Sequence, residues 1–340
     1  MKSFGSDNHS GVHPTIMEAL QKANIGHCIA YGDDEWVARA KNALGNWTGC
    51  FDAMMVVNGT GANVVALRSM SSSFGSVVCA QGAHINVDEC GAPERLALVK
   101  LIPVTTTDGK LTPELVRPYL HDFGFEHHAQ PQVISISQPT EVGTVYSIDE
   151  IRAMADLAHS HRMYLHVDGA RYGNAMAHLG YTTPEQVRQA TVSSGVDVMS
   201  FGGTKNGMMF GEAILYFNKE LMEQAKYFRK QSAQLISKMR YVGAQFSAYL
   251  NGGLWLKMAT HSNEMAALLA SKIEGNVTLT QQVQTNGVWA TLPADKIEAL
   301  QKEYFFYIWD SAKSEVRWLC SWDTTQDDIQ LFAQQICRQE

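Results

Sequence analysis

Four short stretches hold side chains whose types and spacing suit chemistry. The first, VMSFGGTKNGMMFG (198–211), carries one charge, Lys205, where an apolar run meets a glycine-rich turn. A lysine there has either an aliphatic stem that snorkels its ammonium to water or an amine withdrawn from water that attacks carbonyls. The second, VVNGTGAN (56–63), sets Gly59, Thr60 and Gly61 between an apolar run and an apolar helix. It reads as a tight turn or as a helix start whose free amides cradle a phosphate. It is neither GxGxxG nor a Walker loop, which argues against NAD or ATP. The third, MYLHVDGARYG (163–173), ends an apolar run in Asp168, with Arg171 close behind. Either these two form a structural pair, or Asp168 faces a cofactor cation and Arg171 a substrate anion. The fourth, QGAHINVDECGAPE (81–94), places His84 ahead of Asp88 and Glu89. No second histidine stands at ligand spacing, so no metal is expected.

The elements that position these groups follow from periodicity. The runs 51–57, 76–80, 132–137, 163–168, 197–201 and 213–217 are short, apolar and rich in β-branched residues, which predicts buried strands. Between them lie amphipathic patterns. DDEWVARAKNALGNW (33–47) has Asp33 or Asp34 as cap and Trp36, Val37, Ala40 and Leu44 on one face. SIDEIRAMADLAHSH (147–161) opens with the capping-box pair Ser147 and Glu150. This alternation predicts an α/β unit with a mainly parallel sheet, in which ligands sit at the carboxyl ends of strands. Beyond residue 217 a long helical region is expected from about 219 to 249, then a second helix from about 254 to 273. Apolar runs at 288–292, 305–309 and 316–322 and a closing helix near 325–338 predict a smaller α+β domain. The division is placed at 1–250 and 251–340.

A phosphate cradle, a strand-end acid and a lysine on successive strand ends make up an inventory that pyridoxal phosphate (PLP) needs. Amides hold its phosphate, an acid keeps its ring nitrogen protonated, and a lysine takes its aldehyde.

In their order along the chain, FGSDN, AYGDD, NGTGAN, AHINVDECGAPE, TEVGTVY, HVDGAR, FGGTKNGM and RWLCSWDT resemble the low-specificity L-threonine aldolases, above all bacterial phenylserine-type ones. These are β-eliminating-lyase enzymes of the fold-type-I PLP class, whose large domain is aspartate aminotransferase-like. The resemblance implies retro-aldol cleavage of β-hydroxy-α-amino acids to glycine and an aldehyde. It implies Lys205 as the Schiff-base lysine, Asp168 on the ring nitrogen, and His84 stacked on the ring near the substrate hydroxyl. Gly59, Thr60, Gly61 and Thr204 would hold the phosphate, and Ser6, Arg171 and Arg317 the substrate carboxylate. It further implies a homotetramer, a dimer of dimers with shared sites, in which Arg240 reaches the neighbouring subunit's cofactor and Tyr31 serves the same region. Many members carry Glu-Asn-Thr-His after the strand that corresponds to 132–137. Here the text is SQPTEVG (137–143), without histidine. Gln138 is then expected beside the ring, and Thr140 or Glu141 against substrate. The proton acceptor is His84 or a water it holds.

Bulk properties exclude other classes. A formal charge of −7 gives no footprint for nucleic acid or an anionic membrane. No apolar run reaches the ~18 residues of a membrane span, and no secretory signal is visible at the start. The six cysteines are scattered singly, as expected of free thiols in a reducing cytoplasm. The rival readings are another fold-type-I lyase or aminotransferase and, in a different class, a binding module that no longer turns over.

Overall fold

The computed structural model describes residues 2–338. Residues 1, 339 and 340, the outermost of the two expected domains, lie outside the described residues.

The chain begins with a short strand, β1 (Lys2–Ser3). The central sheet then takes β2 (Asp52–Val56), β3 (Gly75–Ala80), β4 (Lys100–Val104), β5 (Gln130–Ser137), β6 (Tyr164–Gly169), β7 (Val198–Gly202) and β8 (Glu212–Tyr216), in the order β2-β8-β7-β6-β5-β3-β4. Pairings from β7 through β4 are parallel, and β8 runs antiparallel to both its neighbours. β3, β7 and β8 are buried along their whole length. Helices cover both faces, so these strands read as unbroken apolar runs rather than alternating ones.

Local signals explain the helices that cover the sheet. Asp34 caps Glu35–Thr48, its carboxylate accepting from the Trp36 and Val37 amides. Such a cap is worth about 1 kcal/mol. Val37, Ala40 and Leu44 form the buried stripe of that helix, which packs on Arg240–Leu250. Ser147 and Glu150 make the expected capping box on Ile148–Ser160. The single helical region expected over 219–249 is instead two helices, Met222–Gln231 and Arg240–Leu250. The chain turns between them, where Ala233 adopts a left-handed φ of 57°.

The second sheet is antiparallel. β9 (Thr278–Leu279), β10 (Gly287–Thr291), β12 (Tyr307–Asp310) and β13 (Glu315–Leu319) run in the order β12-β13-β10-β9. β11 (Tyr304–Phe305) pairs with β1 instead. A parallel sheet unit with a smaller α+β unit is the architecture expected. The two apolar cores divide inside helix Leu254–Ile273: Met258 belongs to the first, Met265 to the second. Phe4 packs in the second core, stacked on Phe332 at 4.3 Å, while Ile16 packs in the first. Among the described residues no helix is long and apolar enough to cross a membrane, and no cluster of three His, Cys, Asp or Glu side chains could hold a metal.

Candidate active site

The parallel strands point their carboxyl ends the same way, and the candidate groups gather there. Gly59 and Thr60 follow β2, His84 follows β3, Glu141 follows β5, Asp168 ends β6, and Lys205 follows β7. Because β8 is antiparallel, its first residue, Glu212, lies at that same end.

Asp168 is buried, and both its oxygens are engaged. Oδ2 accepts from Asn63 Nδ2 at 2.8 Å and Oδ1 from the Ala170 amide at 3.1 Å. Asn63, in the helix Gly59–Met70, gives the same nitrogen to Glu89 Oε1 at 2.7 Å. Glu89 Oε1 in turn meets His84 Nδ1 at 2.9 Å. Asn63 therefore bridges two carboxylates and ties the His84 segment to the Asp168 strand. A nitrogen facing two acids can only be the amide's NH2 end. The hydrogen bond to Glu89 pushes the His84 pKa up, against the pull of burial, and the charges of Glu141 and Asp168 add to the rise. His166, two residues before Asp168, is pushed down to about 4 by burial. It sits between the Ser135 and Ser200 hydroxyls at 2.9 and 3.2 Å, a neutral spacer.

Arg171 does not pair with Asp168. Its Nε and Nη2 clasp both oxygens of Asp7 at 2.6 and 2.9 Å, and Asn286 also donates to Asp7 at 3.1 Å. Burial would raise the Asp7 pKa, but the charge and hydrogen bonds of Arg171, with Lys205 and Asn286, hold it below the ordinary carboxylate value. Arg317 reaches the same N-terminal segment, its Nη2 at 3.4 Å from the Gly5 carbonyl. Its guanidinium lies over the Trp309 ring at 4.6 Å, and its Nε is buried without a partner. Burial lowers the Arg317 pKa first and the charge of Arg171 lowers it further. Two guanidiniums that repel each other, one with an unsatisfied N–H, make a place for an anion. Ser6 stands between Gly5 and Asp7 and caps the turn there, accepting from the Asn8 amide at 3.1 Å.

Lys205 lies on the turn Thr204–Asn206 and is half-buried. Among the described residues it has no ion pair and no side-chain hydrogen bond. Beneath it, buried Glu212 accepts from the Gly203 amide at 2.7 Å. Burial pushes Glu212 up to about 7, while bonds from Thr204 and Gly203 and the charge of Lys205 restrain the rise. The Thr204 hydroxyl thus faces a carboxyl that fixes the lysine turn.

At the start of helix Gly59–Met70, the Gly61 amide is taken by the cap Asn58, at 2.8 Å. A Cβ at Gly61 would fall 2.1 Å from the Gln234 side chain. Gly61 is therefore committed to the cap and to close packing. The Gly59 and Thr60 amides have no partner among the described residues. Gln138, expected beside a cofactor ring, is turned into the fold instead. It is fully buried, and both ends of its amide bind the Tyr146 backbone at 2.9 Å. Arg240 donates to the Gly26 carbonyl at 3.1 Å and lies over the Tyr241 ring. Tyr31 is exposed, with Lys230 over its ring at 5.3 Å. Neither residue bonds to Lys205, Asp168 or His84 within the chain; both face outward on neighbouring surface segments.

Asn63, Glu89, Asp7 and Glu212 were given no role at the sequence level, although all but Glu212 lie inside quoted motifs. A buried acid or amide near a strand end was the available signal.

Residues 3–294 match the family model described as beta-eliminating lyase. A low specificity L-threonine aldolase from Pseudomonas sp. (strain NCIMB 10558) is 41% identical over 98% of this chain and 97% of its own length. The threonine aldolase of Leishmania major, a solved structure, superposes with a TM-score of 0.92 at 28% identity, covering 99% of this chain and 98% of that one. The aspartate aminotransferase of Thermus thermophilus superposes at 0.70 over 98% of this chain and 90% of its own; at 14% identity that likeness speaks for the fold alone.

Proposed function

Because this chain belongs to the beta-eliminating lyase family, we propose that it is a carbon–carbon lyase, a low-specificity L-threonine aldolase. It cleaves threonine, allo-threonine and related β-hydroxy-α-amino acids, phenylserine among them, to glycine and an aldehyde. The observation that carries the reading is an unpaired lysine at the end of β7 beside a fully hydrogen-bonded acid at the end of β6. A full-length aldolase relative adds its weight.

The residues fit PLP. Lys205 is the amine for its aldehyde, and Asp168 the buried carboxylate for its ring nitrogen. The free Gly59 and Thr60 amides suit its phosphate, Thr204 steadies the lysine turn through Glu212, and His84 suits the face of its ring. When bound, PLP supplies an electron sink for the bond broken at the substrate's Cα. The protein does the rest. Arg171 and Arg317 grip the substrate carboxylate with Ser6 beside them, and paired guanidiniums fix orientation as well as affinity. That grip sets which Cα bond is weakened. Asn63 holds Asp168 in place. Glu89 keeps His84 inclined to protonation, which suits it to donate a hydrogen bond at the β-oxygen rather than to take a proton.

A cytoplasmic homotetramer with shared sites completes the proposal. Six free cysteines support the compartment. Outward-facing Tyr31 and Arg240, suited to a neighbouring subunit's cofactor, support the assembly. Product analysis with L-threonine tests the activity. Glycine and acetaldehyde in equal amounts are expected; a 2-oxo acid would contradict the reading and favour aminotransfer or elimination.

A further inference from the structure

We infer that Glu141 takes the proton of the substrate's β-hydroxyl, and that the cavity it lines receives the substrate's side chain. The inference rests on the aldolase reading above.

Glu141 sits on the turn after β5, and that turn is locked. Gln138 is tied to Tyr146 at both amide ends. The Thr140 and Thr144 hydroxyls meet at 2.6 Å, and Thr144 also donates to the Asp108 carbonyl at 2.6 Å. Gly143 has a φ of +81°, and a Cβ there would fall 2.7 Å from the Trp289 ring, so only glycine closes the turn this way. Amid these pairings Glu141 alone spends its side chain on nothing. It makes no hydrogen bond or ion pair among the described residues. A rigid support that presents one unpaired acid is how a positioned proton acceptor is built.

The acid lines a cavity of about 460 Å³ between the two units, within the usual range for ligand sites. One wall is Gln81–Ala83, which leads directly into His84. Another includes Ser137, which pairs with Asp168 in the β5–β6 register. A third, from the small unit, includes Trp309, the ring under the Arg317 guanidinium. The cavity is therefore lined by neighbours of the ring-nitrogen acid, the histidine and the carboxylate anchor rather than by those groups themselves. A substrate held by Arg171 and Arg317 projects its β-carbon toward it. The room exceeds what a methyl needs, which accounts for tolerance of larger substituents. Burial raises the Glu141 pKa, against the charges of Lys205, Arg171 and His84, and the charge of Asp168 adds to the rise.

The step balances. The hydroxyl O–H breaks and its proton passes to the Glu141 carboxylate. The Cβ–O bond becomes a carbonyl as Cα–Cβ breaks, and the electron pair stays with the glycyl fragment. A proton later added at Cα completes glycine and offsets the one held on Glu141.

The test uses the PLP-loaded enzyme and two variants, Glu141→Gln and Glu141→Ala. In Glu141→Gln, the cofactor's visible band and its shift on adding glycine, which has no β-hydroxyl, should persist. Turnover of L-threonine should fall about a hundredfold or more with KM little changed. Formate should restore part of the turnover of Glu141→Ala. Parental turnover in Glu141→Gln would overturn the inference. So would a loss of turnover matched by loss of the glycine response, which would assign Glu141 to structure. A parent enzyme with no cofactor band, or releasing no aldehyde, would overturn the aldolase reading itself.

Discussion

Asp168 and Lys205 stand at the ends of adjacent strands, yet their surroundings are opposite. Asp168 has both oxygens occupied, and its bonds run through Asn63 to Glu89 and His84. Lys205 is half-buried and, among the described residues, has no partner of its own; the turn that carries it is fixed by Glu212. The difference follows from what each group must do. A group that keeps one charge through a reaction gains from being saturated with donors, since every bond favours that charge state. A group that makes and breaks a covalent bond would lose by it, since each partner must be given up before it can react. Glu141 and the free Nε of Arg317 belong with Lys205 in this respect; Asp7, with both oxygens engaged, belongs with Asp168.

Substitutions at the two kinds of residue should therefore fail differently. The largest effect is expected at the unpaired lysine. Lys205→Ala should lower aldehyde release on the order of 10⁴-fold or more, the scale for removal of a covalent nucleophile, while thermal unfolding changes little. On the paired side, stability should suffer. Asp7→Asn breaks a buried bidentate ion pair and leaves Arg171 uncompensated, an effect of about 3–5 kcal/mol in denaturant unfolding, with a raised KM because the freed guanidinium loses its orientation. Asn63→Leu strips a donor from two buried carboxylates at once and should lower stability by about 1–3 kcal/mol. An Asn63→Leu enzyme as stable as its parent would break the comparison.

The smallest effect concerns pH. His84 is raised above 6.5, chiefly by its bond to Glu89. A group whose folded pKa exceeds its unfolded value contributes stability that is full below about pH 6.5 and is lost as pH climbs through the folded value. Glu89→Gln should lower the His84 midpoint followed by proton NMR and flatten that part of the stability curve. An unmoved midpoint would sever His84 from the bridge.

Much of this was legible in the sequence, for physical reasons. Strands buried on both faces write themselves as apolar runs, so six of the seven central strands could be read directly. The exception, β4, lies at one edge of the sheet and, unlike the other edge strand β2, carries a proline, Pro103. An edge strand tolerates a residue that cannot donate to the ladder, and its pattern is correspondingly weak. Lys205, Asp168 and His84 stood out as polar residues at the ends of apolar runs. The side-chain partners of Asp168 and Arg171 did not, because those partnerships are long-range. Asn63 meets Asp168 across 105 residues and Asp7 meets Arg171 across 164. Local pattern has no access to such pairs. The Gln138 partnership is short-range but was equally hidden, since its bonds close a turn whose other half is the Tyr146 backbone and no side-chain pattern marks it.

The most direct test of the central claim is an absorbance spectrum of the purified protein after incubation with PLP, taken before and after glycine and then borohydride. The account predicts a band near ~410–430 nm that glycine perturbs and borohydride erases, with the reduced label mapped to Lys205. A protein that stays colourless, or a label on another lysine, would contradict it.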